Sequence, residues 1–224
     1  MRGRQKRTEA DVQIPAREAV TQGSLVVPPN ARGLVLFAHG SGSGRFSPRN
    51  RFVAQAFNKA GLATLLIDLL TPEEEEVDEV TREFRFNITL LARRLVAATR
   101  WLKENKATSK LTIGYFGAST GAAAALLAAA ELGESIRAIV SRGGRPDLAR
   151  EVLGHVRAPT LLIVGELDLS VIELNKHAYE LLAAKKKALG IVPGASHLFE
   201  EPGALEEVAR LATDWFKRHL SMVS

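Results

Sequence analysis

Ser119 stands two residues after Gly117 and two before Gly121 in "GYFGASTGAAAAL", the stretch from Gly114 to Leu126, where an apolar run gives way to a row of alanines. A tight strand-turn-helix elbow that lifts a serine clear of a sheet forces strained backbone angles on it. The flanking residues must then be tiny for the turn to close. Gly117 and Gly121 meet that need. The alanines let the next helix pack closely with its N-terminus under the serine, where the helix dipole favours the anion of acyl transfer. Such a serine becomes a nucleophile when a base takes its proton and a carboxylate orients that base.

The residues that follow the other apolar runs supply both partners. They are His39-Gly40-Ser41-Gly42, Asp68, Arg142-Gly143-Gly144-Arg145, Glu166-Leu167-Asp168 and Ser196-His197. Of the five histidines, His155 precedes a strand and so lies at the wrong end of a sheet. His177 and His219 fall within helical patterns, and His39 is placed to orient the glycine-rich loop after it. His197 remains as the base. Asp168 is the expected acid, because it lies further out on its loop than its competitor Glu166, although it could equally start the next helix. Ser119 could likewise serve only as a helix N-cap. Backbone N–H groups of Ser41, with Gly42 as the alternative, and of Thr120 are the expected donors to a developing oxyanion. The glycines after His39 could instead cradle a phosphate, but neither a Gly-Lys-Ser/Thr ending nor a Gly-x-Gly-x-x-Gly spacing is present.

These residues need a scaffold that brings strand ends together. Short runs rich in Val, Ile and Leu begin at Gly33, Leu62, Lys110, Ile136, Pro159 and Lys187, and amphipathic helical patterns lie between them. That alternation predicts a mostly parallel sheet covered on both faces, whose ligands bind outside the carboxyl ends of the strands. Helices are predicted over Arg49–Ala60, Arg82–Asn105, Thr120–Leu132, Val171–Ala184 and Ala204–Leu220, and the acidic run Glu73–Glu76 reads as another helix's first turn. The run "GSLVVP" from Gly23 is expected to add an antiparallel edge, and Asp68 to cap the turn that follows it. Connections are short, which leaves room for a minimal cap domain or none.

At 224 residues and 24.3 kDa the chain suits one α/β domain. Residues 21–224 are expected to form it, with residues 1–20 as a basic N-terminal segment and edge strand. Hydrophobic residues make up 46% without any run of bilayer-spanning length, and no signal-peptide pattern follows the basic start, so a cytoplasmic protein without membrane partners is expected. The absence of cysteine excludes disulfides, thiolate metal sites and a cysteine nucleophile. Histidines and carboxylates do not cluster at ligand spacings, so neither metal nor cofactor is expected. Arg2, Arg4, Lys6 and Arg7 account for most of the net charge of +5; they read as a solvated terminus, and no nucleic-acid partner is expected.

The segments "FAHGSGSGRFSPRN", "YFGASTGAAAAL", "VSRGGRPDLA", "LLIVGELD" and "GASHLFEEPGALEEVA" give the chain a resemblance over nearly its whole length to the dienelactone hydrolase-like branch of the α/β-hydrolase superfamily. The order Ser119, Asp168, His197 is that superfamily's order. The resemblance implies an α/β-hydrolase fold with Ser119 as nucleophile, His197 as base and then acid, Asp168 as its orienter, and amides near Ser41 and Thr120 as the oxyanion hole. One departure matters: dienelactone hydrolases proper carry a cysteine at the elbow. A serine there is similar instead to general carboxylesterases and small acyl hydrolases, acting on an ester, lactone or thioester.

Arg45 after the first loop, and Arg142 and Arg145 after the strand beside the elbow, are candidates to pair with an acidic group on a small ester substrate. They could equally tie loops together through Glu200, Glu201 or Asp147. A monomer or homodimer is expected. A ligand-binding or signalling protein on the same fold is the rival function, since fold alone does not determine activity.

Overall fold

The computed structural model of the protein describes residues 8–17 and 19–220. The basic cluster of Arg2, Arg4, Lys6 and Arg7 lies outside the described residues. The chain forms an eight-stranded sheet from β1 (Thr8–Ala16), β2 (Ala19–Val27), β3 (Leu34–Ala38), β4 (Ala63–Ile67), β5 (Ile113–Ala118), β6 (Ile136–Arg142), β7 (Thr160–Gly165) and β8 (Lys187–Val192). Their spatial order is β1-β2-β4-β3-β5-β6-β7-β8. Strands β3 to β8 run parallel, while β2 pairs antiparallel with both β4 and β1.

The antiparallel strand expected at "GSLVVP" is therefore present as part of β2, but it is not the edge. β1 pairs along its full length and lies outside it, with Pro15 tolerated because an outermost strand has no further neighbour on one side. The chain steps from β3 to β4 on one side and then returns to β5 on the other, so the winding direction reverses between β3 and β5. A crevice opens at such a reversal. The Gly-rich loop leaves β3 there, and the serine elbow leaves β5.

Both faces of the parallel strands are covered, which explains their continuous apolar runs. Along β3, Leu34, Leu36 and Ala38 face one core, shared with α3 (Ile88–Glu104) and α4 (Thr120–Leu132). Val35 and Phe37 face the other, shared with α1 (Pro48–Lys59) and α6 (Ala204–His219). There Phe37, Phe57, Phe116 and Phe216 stack in tilted and edge-on pairs, with ring centroids 4.9–5.7 Å apart. Ala122 to Ala125 are fully buried, so α4 rests directly on the sheet.

The remaining α-helices are α2 (Pro72–Thr81) and α5 (Leu169–Leu181), and short 3-10 turns run over Gly133–Ser135 and Pro146–His155. The acidic run is indeed the first turn of α2. Thr71 caps it reciprocally with Glu74, and Pro72 follows as the first helical residue. The helix expected from Arg82 instead begins at Ile88. Arg82 takes a left-handed φ of 58° that ends α2, and the Asp78 carboxylate accepts the N–H groups of Phe84 (2.8 Å) and Arg85 (2.9 Å), which folds 82–87 into a turn. Asn87 then caps α3 through the N–H of Leu90. A local acceptor thus overrode the helical propensity of that stretch.

Candidate active site

Ser119 joins β5 to α4 with φ 51° and ψ −121°, angles that cost a non-glycine residue about 1–3 kcal/mol and persist only when the surroundings impose them. The surroundings are visible. Its N–H donates to the carbonyl of Arg142 (3.3 Å), and its carbonyl accepts the N–H groups of Ala122 and Arg145 (3.1 Å each). A Cβ at position 117 would stand 2.4 Å from Cα of Ala122, and one at 121 would stand 2.2 Å from the carbonyl oxygen of Ala38. Only glycine leaves room for this turn. The Ser119 side chain makes no capping bond to α4, so its hydroxyl is not used as a helix cap.

His197 lies on the loop after β8, with Nδ1 2.6 Å from Oδ2 of Asp168. The histidine side chain is 40% exposed and that of Asp168 only 12%, which puts the carboxylate behind the ring. Since an ionised carboxylate only accepts, Nδ1 carries the proton and Nε2 presents its lone pair outward. Asp168 occupies the N-cap position of α5 but makes no capping bond. Glu166, its competitor in the sequence, turns away: Oε2 accepts the N–H of Gly194 at 2.7 Å and steadies the turn before His197. The two loops are also stitched through the Leu167 N–H and the Ala195 carbonyl at 2.9 Å. Among the described residues no hydrogen bond joins the Ser119 hydroxyl to His197; contacts of this kind often close only around substrate.

The loop after β3 reaches the elbow. A Cβ at Gly40 would lie 3.1 Å from that of Ser119, and the hydroxyls of Ser41 and Thr120 are 3.1 Å apart. Gly42, with φ +65°, continues the loop into open space. His39 orients this loop, as expected. Its Nε2 accepts the N–H of Leu69 (2.9 Å) while Nδ1 donates to the Gly40 carbonyl (2.9 Å), and burial lowers its pKa, which keeps it neutral.

Asp68 does not cap the turn after β4. It faces the loop after β3, accepts the backbone N–H of Arg45 at 2.7 Å and forms an ion pair with the same residue's guanidinium, which also lies over the ring of Phe46. No sequence signal pairs residues 23 positions apart in two different loops. Arg145 is held bidentately by Asp147. Arg142 is buried at the end of β6.

Among the described residues no group of acidic and histidine side chains is arranged to hold a metal ion, and no helix is long and apolar enough to cross a membrane. Two clefts lie away from Ser119: one of about 500 Å³ lined by Arg93, Arg94, Arg100 and Trp101, and one of about 330 Å³ beside Asp11, Arg45 and Phe46.

The strand order, with its reversal at β3 and β5 and the strained turn beyond β5, places the molecule among the α/β-hydrolases. The model of the Dienelactone hydrolase family matches residues 22–223, and the chain belongs to that family. The crystal structure of a dienelactone hydrolase from Anabaena variabilis is 59% identical, covers 96% of this chain and 100% of that one, and superposes with a TM-score of 0.93. The Pyrococcus furiosus esterase Pf2001, 20% identical over 96% of this chain and 94% of that one, shares the fold with a TM-score of 0.74. A Mycobacterium tuberculosis protein named "Putative phosphoribosyl transferase" is 56% identical over 212 residues, which are 95% of this chain and 47% of that protein. The chain thus spans about half the length of the curated relatives it matches.

Proposed function

We propose that the protein cleaves small or medium carboxylic esters, lactones or thioesters through an acyl-enzyme on Ser119. The observation that carries this reading is the bond from Asp168 to Nδ1 of His197, made by a carboxylate that could have capped α5 instead. It fixes the tautomer, with the Nδ1 proton pointed at the carboxylate and Nε2 turned to the nucleophile's side as proton acceptor.

In the first half-reaction Nε2 takes the Ser119 proton as Oγ bonds to the substrate carbonyl carbon. The carbonyl oxygen becomes an anion that faces the N–H groups of Thr120 and of Ser41 or Gly42, at the positive end of α4. Asp168 stabilises the imidazolium. Collapse breaks the bond to the leaving alcohol, which receives the proton from Nε2, and the acyl group stays on Oγ. Water then gives a proton to Nε2 and bonds to the acyl carbon. Oγ departs with that proton, releasing the acid and restoring Ser119. A serine nucleophile where dienelactone hydrolases proper carry cysteine favours general esters over dienelactones.

The test is turnover of p-nitrophenyl acetate and butyrate by wild type beside Ser119→Ala, with phosphonate labelling followed by mass. Turnover abolished in the variant and one adduct on Ser119 are expected. No turnover and no adduct would give the lead to a non-catalytic ligand-binding role.

A further inference from the structure

The cleft of about 500 Å³ shares no lining residue with the site at the strand ends. It lies between α3 and the tip of the β1–β2 hairpin, with Glu131 of α4 on its border. Arg93, Ala97, Trp101 and Glu104 line it at spacings of four, four and three, so one stripe of α3 forms its floor. Its size is that of a site for a small organic molecule.

The two ends of the cleft differ in charge. Arg94 is buried and donates from Nη2 to Glu74 (2.6 Å) and from Nη1 to the Ala16 carbonyl (3.4 Å), which holds its guanidinium beside the hairpin tip that carries Arg17. Its Nε is buried without an acceptor. Arg17 and Arg93 are exposed, and among the described residues neither has a hydrogen bond or an ion pair. Three guanidiniums set against the single carboxylate of Glu74 leave this end positive. At the other end Glu104 has no cationic partner among the described residues, and Glu131 meets only Arg100, at 3.8 Å between side chains that are both more than half exposed. A contact so long and so well solvated consumes little of either charge. The half-buried ring of Trp101 lies between the two ends, seven residues beyond Arg94, a rise of about 10 Å along α3.

We propose that this cleft binds a ribonucleoside 5′-monophosphate, with its phosphate on Arg17, Arg93 and Arg94, its base against Trp101 and the N–H groups of the base donating to Glu104 or Glu131. A phosphate dianion offers enough oxygens for several guanidinium forks at once, whereas a carboxylate satisfies one. The indole supplies a flat apolar surface at the distance from the phosphate where a base stands. Ionised carboxylates only accept hydrogen bonds, so the far end calls for donors, which every nucleobase has and an acyl tail lacks. An acidic peptide would suit the arginines but would be repelled at Glu104 and Glu131. The nucleotide is bound and not transformed.

The experiment titrates the full chain with AMP, GMP, CMP and UMP by calorimetry at fixed ionic strength. At least one should bind at about one equivalent, with its nucleoside and inorganic phosphate each weaker by about tenfold or more. Arg93→Ala, which removes an exposed side chain without a partner, should weaken that nucleotide by about tenfold, and Arg93→Lys by less. Trp101→Leu should weaken the nucleotide and leave inorganic phosphate unchanged. Failure of all four nucleotides to bind would overturn the proposal, as would inorganic phosphate binding as tightly as the best of them. Nucleotide binding that survives Arg93→Ala undiminished would place the ligand elsewhere and overturn it as well; this variant decides if Trp101→Leu does not fold. Poly-glutamate bound more tightly than any nucleotide would make the cleft a protein-docking surface instead.

Discussion

Oδ2 of Asp168 lies 2.6 Å from Nδ1 of His197, although Asp168 sits where it could cap α5. The helix start forgoes a capping bond, and the imidazole gains a fixed tautomer. Asp168→Asn retains the shape but can donate to Nδ1, which moves the ring proton to Nε2 and removes the base. The kcat on p-nitrophenyl butyrate should fall by about 10³–10⁴, with the thermal midpoint nearly unchanged because no helix cap is lost. A loss of less than tenfold would show that another group orients His197.

His39 predicts how stability depends on pH. Burial lowers its pKa below 6.5, so the folded state favours the neutral ring that donates to Gly40 and accepts from Leu69. The unfolded chain then binds more protons below pH 6.5. The stabilisation is present above that pH and is lost as pH falls toward the lower folded value. His219 is shifted the same way by burial and by Lys186 and Arg218. Urea midpoints between pH 7.5 and 5 should fall in wild type and fall less steeply in His39→Gln. An unchanged slope in that variant, with a flattened one in His219→Gln, would assign the effect to the C-terminal helix instead.

Much of this site is legible in the sequence because its determinants are local. The glycines around Ser119 act on the turn that contains them, and the apolar runs reveal strand ends at which Asp168 and His197 must emerge. Arg145 finds Asp147 two residues on, a pairing within sight of any reader of "RPD". The remainder depends on contacts between distant segments. Asp68 meets Arg45 only because β3 and β4 are neighbours, and nothing in the sequence shows that Nη1 of Arg142 is buried without an acceptor. The late start of α3 has the same origin, since Asp78 on the previous helix draws the chain at 84–85 out of helical geometry. Periodicity records which face is buried; it carries no information about which polar group the buried side finds.

The elbow gives a contrast between two glycines. A Cβ at position 121 would enter the Ala38 and His39 carbonyls at 2.2 and 2.4 Å, and both are backbone atoms that cannot swing away. Gly121→Ala should cost about 3 kcal/mol or more and fail to give active protein. Gly42 has φ +65° and nothing within 4 Å of an added Cβ. Gly42→Ala should cost only the left-handed backbone penalty of about 1–2 kcal/mol. Urea denaturation of the two variants checks the ranking, and a Gly121→Ala protein as stable as Gly42→Ala would contradict the packing described for α4.

The Arg45–Asp68 contact makes a different kind of prediction, because one carboxylate holds two separate groups. It accepts the Arg45 backbone N–H at 2.7 Å and also pairs with the guanidinium. Arg45→Met removes only the second bond and leaves the loop after β3 tied through its backbone. Asp68→Ala releases both, and the loop that carries Ser41 toward Thr120 loses its anchor just beyond β4. If Ser41 donates to the oxyanion, loosening of this loop lowers kcat with little change in KM, because the anion exists only in the transition state. Asp68→Ala should therefore reduce kcat by about tenfold or more, and Arg45→Met by less. The double variant should match Asp68→Ala alone, since Arg45 has nothing left to hold once its partner is gone. Additive losses in the double variant would mean that the two side chains act on the site independently, and the anchoring role of Asp68 would not stand.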